Sequence, residues 1–162
     1  DHQSVLEVGQ CLIDQHTHQA IAGRCGSTSV HTGEHRAGLR ISSGSRWEPL
    51  AGYSRAVRVR DVIHVSGTTA THGNNRCVAP GNAGAQAIYI LDKIAASLVA
   101  AGGKMEDVVR TRIFIRNIND WEPIARAHGE RFKDIQPANT MVRAELIGDE
   151  YLVEMEAEAI VE

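Results

Sequence analysis

Three glutamates near the end of the chain are the side chains best suited to acid–base chemistry. Glu154, Glu156 and Glu158 alternate with apolar residues in the stretch YLVEMEAEAIV, so they share one side of a predicted strand. Such a row of carboxylates is either a solvated sheet face or contains one member that lines a pocket. A carboxylate in a pocket can act as a general base or hold a water molecule. The residues alone leave both interpretations open.

A second group of candidates lies in QPANTMVRAEL, residues 136–146. The proline suits the entry to a strand, and the run after it alternates. One side carries Asn139, Met141, Arg143 and Glu145, and the other carries Thr140, Val142, Ala144 and Leu146. The second side is the predicted core face. If this strand and the last one flank a turn at Gly148-Asp149, the hairpin places Arg143 opposite Glu154, where a cation would keep the carboxylate ionised.

Other motifs are weaker. The chain has no G-x-S-x-G elbow, no P-loop and no dinucleotide fingerprint. Ser66-Gly67 is predicted to close a strand, where the glycine either makes a turn or lets a ligand approach the backbone. Cys11, His16, His18 and Cys25 have a spacing that matches no common zinc pattern. We expect no bound metal and no cofactor.

The elements that must position these residues begin near residue 39. Residues 1–38 hold five of the eight histidines, and we interpret them as an appendage to the main domain. Apolar residues between Val5 and Ile13 recur at helical spacing, which predicts a short amphipathic helix there. Residues 39–162 predict, in order, a hairpin turning at Arg60-Asp61, a helix capped by Asn82, a strand, a helix ending near Phe132 and a second hairpin. This order predicts an α+β layer, with two helices on one face of a mixed sheet. The bare second face suggests oligomerisation.

Composition limits the class of protein. The 162 residues fit one domain with a real core, and 43% hydrophobic and 23% charged residues are ordinary for a globular protein. The net charge of −3 and 4% aromatic residues argue against nucleic acid as a partner. No apolar run approaches the roughly 18 residues of a membrane span, and no signal peptide is recognisable. Three cysteines form no disulfide framework, so we expect a cytoplasmic protein.

Four stretches taken together resemble the RidA/YjgF family: GYSRAVRVRDVIHVSGTTA, AAGGKMEDVVRTRIFIRNINDW, PANTMVRAEL and LVEMEAEAIV. The likeness covers roughly residues 41 to 162 in order and does not extend to the appendage. Several of these Rid proteins hydrolyse reactive enamines and imines. The resemblance implies a chorismate-mutase-like α+β fold and a homotrimer, with small-molecule pockets at the subunit interfaces.

The same resemblance assigns candidate site residues. Tyr53 matches a pocket tyrosine, Gly67 matches the glycine whose backbone meets the ligand, and Met141 matches a position that is often a pocket cysteine. Glu154 matches the glutamate thought to place the attacking water. Arg143 is a further candidate for contact with the substrate.

Asn139 departs from the family pattern. Active members read P-A-R at this point, and that arginine grips the substrate carboxylate, whereas this chain reads Pro137-Ala138-Asn139. A neutral amide cannot replace a bidentate charged fork. We therefore expect a ligand held without an arginine clamp at this position.

Two functions stay open: an enamine or imine deaminase that uses Glu154, and a non-catalytic trimer that binds a small metabolite. The endoribonuclease function attached to some relatives is disfavoured by the acidic charge.

Overall fold

The computed structural model describes Leu6–Val8, Cys11–Ile13 and residues 38–73 and 75–162. Within the leading segment, β1 (Leu6–Val8) pairs antiparallel with β2 (Cys11–Ile13). The helix predicted there is therefore wrong: helical spacing over so few residues is weak, and a two-stranded ribbon formed instead. Of the four residues whose spacing was compared with zinc patterns, His16, His18 and Cys25 lie outside the described residues. The division of the chain at residue 38 stays a prediction.

The main body is a six-stranded sheet. Its strands in chain order are β3 (Leu39–Ile41), β4 (Ala56–Val59), β5 (Val62–Thr69), β8 (Val108–Ile115), β9 (Ala138–Arg143) and β10 (Val153–Ile160). Their order across the sheet is β3-β4-β5-β10-β8-β9. Two further strands, β6 (Thr71–His72) and β7 (Arg76–Cys77), form a separate ribbon. The last strand in sequence thus lies in the middle of the sheet.

The first predicted hairpin is confirmed. β4 and β5 are antiparallel, with Val59 opposite Val62 and Arg60-Asp61 between them. The turn lacks a glycine, and Arg60 itself takes the left-handed conformation with φ +57°.

Two long helices cover one face of the sheet, as the sequence predicts. These are α2 (Ala83–Ala100) and α3 (Trp121–Phe132), whereas α1 (Trp47–Ala51) is a single short turn before β4. Short 3₁₀ turns, Met105–Asp107 and Ile118–Asp120, flank β8. Asn82 caps α2 by accepting a hydrogen bond from the Ala85 N–H at 3.0 Å. The α+β architecture is confirmed.

The core lies between the sheet and these helices. The helices contribute Ile90, Leu91, Ile94, Leu98 and Ile124, and the sheet contributes Ile63, Ile113, Ile115, Val153 and Met155, all of them at most 1% exposed. By length and composition alone α2 could cross a membrane, but half of it is buried within the protein. It is the core helix on which the sheet packs.

The predicted terminal hairpin is wrong. β9 pairs with β8 and runs parallel to it, and β10 lies on the other side of β8. Arg143 is therefore opposite Ile115, and Glu154 is opposite Thr69 and Phe114, so the predicted Arg143–Glu154 pair does not form. The physical reason is the crossover through α3, which returns the chain beside the strand it left and in the same direction.

Parallel pairing also reverses the predicted faces of β9. Asn139 and Met141 lie opposite Thr111 and Ile113, on the side that the helices cover, and Met141 packs against the core. Val142, predicted as core, is 44% exposed on the other side. An edge strand that contributes little to the core carries a weak periodic signal. The predicted alternation of side chains is therefore correct, but the set predicted to face the core is the set that faces away from it.

Arg116 holds the connection between β9 and β10 in place. Its Nη2 donates to the carbonyls of Leu146 and Gly148, each at 2.7 Å, and its Nε donates to the Tyr151 carbonyl at 2.8 Å. Three charge-assisted hydrogen bonds from one guanidinium fix a loop that contains no regular element. This loop takes the place of the tight hairpin turn.

Candidate functional site

A bulge in β5 opens the site. Met155 is opposite Thr68 and Ala157 is opposite Val65, so Ser66 and Gly67 together face a single residue of β10. Gly67 thus lies inside the strand, and the prediction that Ser66-Gly67 closes it is wrong. Bulges redirect side chains and frequently border functional sites.

Gly67 makes room for the carboxylate of Glu154. A methyl group placed on Gly67 would come within 3.2 Å of the Glu154 carboxyl carbon and would overlap one of its oxygens. The glycine is needed here for this close approach, because its backbone angles do not require one. The carboxylate therefore lies directly against the backbone of the bulge, on the sheet face that the helices leave open.

The two other glutamates of the row have a different role. Arg112 Nη1 contacts Glu156 at 3.3 Å and Glu158 at 2.9 Å on the open face. Glu154 takes part in none of the ion pairs among the described residues. Glu156 and Glu158 thus form an ion-pair cluster with Arg112 on the sheet face, and Glu154 stands apart from that cluster.

Burial sets the acidity of Glu154. Partial burial raises the pKa of its carboxyl above the ordinary value, the positive charge of Arg55 lowers it, and Glu156 raises it again. A carboxylate whose pKa lies above normal holds a proton more strongly, which suits it to take one from water. This is the property required of a general base.

Arg55 is a functional candidate that the sequence analysis missed. It directly precedes β4, is only 7% exposed, and donates from Nη2 to the Gly67 carbonyl at 2.6 Å. Burial lowers the pKa of its guanidinium, while Tyr53, Glu48 and Glu154 raise it. The only available signal was a charged residue within GYSRAV, which an alternating pattern normally assigns to solvent.

Tyr53 borders the same place. Its ring centroid lies 5.9 Å from the Arg55 guanidinium carbon, and the residue is 37% exposed. Three predicted site residues, Tyr53, Gly67 and Glu154, are therefore brought together in one chain, with Arg55 among them. The signal that located these three was the family resemblance.

Two more charged residues surround this group. Lys93 of α2 donates from Nζ to the carbonyls of Thr69 and Thr71, each at 3.0 Å. Burial, together with the charge of Arg55, lowers the pKa of Lys93 to about 8, although Glu48 raises it. Glu48 is itself buried, and its carboxylate accepts hydrogen bonds from the backbone N–H groups of Ser43 and Ser45 and from nearby serine hydroxyls.

The remaining predicted residues lie elsewhere in the chain. Asn139 donates from Nδ2 to the Thr111 hydroxyl at 2.9 Å, and that hydroxyl lies 2.8 Å from His128 Nε2 on α3. Met141 packs on the core, and Arg143 is exposed at the end of β9. These three residues lie on the helix side of the sheet, so one chain alone does not bring them to Glu154.

No cluster of potential metal ligands occurs in the part of the chain that the structure describes. The described side chains supply a carboxylate of raised pKa, a buried guanidinium and the polar backbone of the bulge. Together they can activate a water molecule beside a bound polar molecule.

Comparison with known proteins identifies the family. The family described as Endoribonuclease L-PSP matches residues 43–161. The 3-aminoacrylate deaminase RutC of Acinetobacter baylyi is 34% identical over 107 residues, which cover 66% of this chain and 85% of RutC. The uncharacterized protein SCO2049 of Streptomyces coelicolor is 32% identical over 121 residues. This match covers 74% of this chain and 90% of SCO2049.

A solved structure agrees with the fold. The crystal structure of Rv2704 from Mycobacterium tuberculosis, a member of the YjgF/YER057c/UK114 family, is 38% identical with a TM-score of 0.70. The match covers 76% of this chain and 99% of Rv2704. The resemblance found in the sequence is thereby confirmed, and the chain belongs to the Endoribonuclease L-PSP family, which is the RidA/YjgF family.

Proposed function

We propose that this protein is a hydrolase that releases ammonia from small enamines or imines. The observation that carries the proposal is the carboxylate of Glu154, which lies against the backbone of Gly67 with its pKa raised by burial. The relative RutC, named a 3-aminoacrylate deaminase, supports the reaction class.

The reaction follows from the chemistry of a C=N bond. Glu154 accepts a proton from water while the water oxygen bonds to the imine carbon, and it passes this proton to the nitrogen, which gives a carbinolamine. The carboxylate then takes the proton of the new hydroxyl group and returns it to the amino nitrogen as the C–N bond breaks, so that imine and water give a carbonyl compound and ammonia. An enamine enters the same route after its tautomerisation to the imine.

The proposed pocket lies between subunits of a homotrimer. The open sheet face carries Glu154, whereas Asn139 lies on the helix face and β8 separates their strands. A pocket that includes both residues therefore requires Glu154 from one subunit and Asn139 from another. Assembly would also cover the open face, whose exposed apolar residues include Val142.

The test is ammonia release from freshly generated imines, with semicarbazide trapping to measure imine loss. Glu154→Gln should lower kcat/KM by about a hundredfold or more, because the amide cannot accept the proton. Glu158→Gln is the matched control from the same strand and should keep the activity. In the wild type, the rate should rise with pH through a value above that of an ordinary carboxyl group.

The same measurement examines the alternatives. Activity that survives in Glu154→Gln would contradict the mechanism. A wild type that binds small carbonyl compounds but turns none over would favour the non-catalytic binding protein. Binding of RNA that weakens steeply with added salt would instead support the endoribonuclease function.

A further inference from the structure

Two side-chain cations meet the edge of β5 beyond the point where its pairing with β4 ends. Arg55 donates from Nη2 to the Gly67 carbonyl at 2.6 Å, and Lys93 of α2 donates from Nζ to the Thr69 carbonyl at 3.0 Å. Carbonyls of alternate residues leave a strand toward the same edge, on the order of 7 Å apart. The guanidinium and the amine are therefore neighbours along one edge of the strand.

The guanidinium of Arg55 is buried and incompletely paired. The residue is only 7% exposed, it takes part in none of the ion pairs among the described residues, and its Nε has no hydrogen-bond acceptor in that part of the chain. The nearby carboxylate of Glu48 already accepts hydrogen bonds from the 42–45 serine loop. Because burial of a charge is costly unless the charge is paired, this guanidinium favours an anion that forms beside it.

Lys93 supplies an amine that can react in its neutral form. Burial, together with the charge of Arg55, lowers its pKa to about 8, so a sizeable fraction of the amine is unprotonated near neutral pH. A neutral amine has two N–H donors, and the carbonyls of Thr69 and Thr71 can accept both, each at 3.0 Å. The lone pair of Nζ is then left for an electrophile.

We propose that Lys93 is carboxylated by carbon dioxide and that the resulting carbamate pairs with Arg55. The lone pair of Nζ bonds to the carbon of CO2, one C–O π bond moves onto its oxygen, and the nitrogen gives a proton to solvent. Amine and CO2 thus yield a carbamate anion and a proton, with no oxidant or reductant involved. The nitrogen keeps one N–H for a backbone carbonyl.

The charge of the product selects carbon dioxide among small electrophiles. A ketone or an aldehyde would convert the amine to an imine, which carries no negative charge that could pair with Arg55. A carbamate has two oxygens that share one negative charge, and a planar guanidinium suits such an acceptor. The inference concerns a modification of the chain and does not depend on the proposed hydrolysis.

The test exposes the full chain to isotope-labelled bicarbonate and detects the carbamate carbon by NMR. Triethyloxonium then converts carbamates to stable ethyl esters for peptide mass mapping. The chain has three lysines, and the exposed Lys104 and Lys133 serve as internal controls. Lys93 should be modified at least about tenfold more than either of them.

Substitutions at the two partners assign the signal. Lys93→Arg keeps a positive charge but forms no such carbamate, so the main resonance should disappear, whereas a carbamate on the α-amino group of the chain would persist. Arg55→Met should lower the occupancy of Lys93 by at least about tenfold, because the anion loses its charged partner. Arg55→Lys keeps the charge without the fork and should fall between wild type and Arg55→Met.

Arg58→Met is the matched control for the loss of an arginine. Arg58 lies on β4 and, like Arg55, donates to backbone carbonyls, here those of Arg60, Ala101 and Gly102. This variant should keep the carbamate of Lys93. If Arg55→Met does not fold, the lysine map, Lys93→Arg and Arg55→Lys decide the question.

Three results would overturn the assignment: no carbamate on Lys93, equal modification of all three lysines, or an occupancy that does not change when Arg55 is replaced. Hydrolysis of imines is measured separately. A chain that carries the carbamate but turns over no imine would sustain this inference and refute the deaminase, and an active deaminase without the carbamate would do the reverse.

Discussion

At the scale of single residues, function and stability oppose each other at Glu154. Its pKa is raised in the folded chain, so the folded state binds a proton more tightly than the unfolded state does. The associated stability is present at low pH and is lost as pH rises from the ordinary carboxyl value through the raised one. At neutral pH the ionised carboxylate therefore costs stability, as expected of a group kept for its reactivity.

Gly67 should be intolerant of even one added carbon. Gly67→Ala would push a methyl group into the Glu154 carboxylate, and we expect the imine hydrolysis rate to fall by about tenfold or more because the base is displaced. Ammonia release measures the rate, and circular dichroism checks the fold.

The control for Gly67→Ala is Gly129→Ala. A methyl group on Gly129 of α3 would meet no atom within 4 Å. It should leave the rate unchanged and stabilise the protein by about 0.5–1 kcal/mol, because alanine favours the helix. A full rate in Gly67→Ala would mean that Glu154 does not need its observed position.

The residue scale also shows what a sequence can reveal. Glu154 and Gly67 are recognisable because they recur at set places in a family pattern. Arg55 is not recognisable in this way, since SRAVRVR contains three arginines and nothing in the sequence indicates which one is buried. Its guanidinium is held by the Gly67 carbonyl of the bulge, which is a tertiary contact.

At the scale of elements, Asn139 connects β9 to α3 through Thr111 and His128. The His128 ring also lies 4.5 Å from that of Phe132, and burial lowers the pKa of the imidazole. The Thr111 hydroxyl accepts from Asn139 and can donate its hydrogen to an unprotonated His128 Nε2. Burial of the ring disfavours the protonated histidine.

Acid should therefore loosen this junction. Because the unfolded chain binds the His128 proton more tightly, the stability from neutral His128 is complete above the ordinary value of 6.5 and is lost as pH falls through it. We expect His128→Gln to reduce the fall in unfolding free energy between about pH 7.5 and pH 5.5, measured by urea denaturation. His64→Gln, on the exposed side of the sheet, should retain the wild-type slope, and an identical slope in His128→Gln would contradict this account.

The main elements of residues 39–162 and the first hairpin were predicted, but the pairing of β9 and β10 was not. The β4–β5 hairpin and the two helices follow from local periodicity and from caps such as Asn82. The parallel placement of β9 depends on the α3 crossover and on the loop that Arg116 fixes, and neither is a local signal. A glycine-containing turn between two strands favours a hairpin only when nothing else separates them.

At the scale of the whole molecule, the proposed trimer depends on the open sheet face. Val142→Glu places a charge on that face, beside Phe114, and should convert the trimer to a monomer because a buried unpaired carboxylate is costly. Light scattering should show the mass fall from about three times to about one times the 17.6 kDa of the chain.

Val99→Glu on the outer side of α2 is the control for this variant. The two valines have similar exposure, 44% for Val142 and 40% for Val99, but lie on opposite layers of the molecule. A trimer that persists in Val142→Glu, or that is lost equally in both variants, would place the interface elsewhere. The sequence predicts that one face of the sheet is left uncovered by helices. It does not predict which residues of a second subunit would pack on that face, because those contacts are between molecules.

The position of β10 has a consequence for synthesis of the protein. This strand joins β5 to β8, and its partners on β5 precede it by 85 residues (Thr69 and Glu154) to 98 residues (Val62 and Ile160). While the ribosome is still making the earlier strands, the two halves of the sheet have nothing between them, and long-range pairing of this kind is slow. The strand that carries Glu154 is thus also the one that joins the two halves of the sheet, so the proposed catalytic base reaches its position only when the sheet is complete.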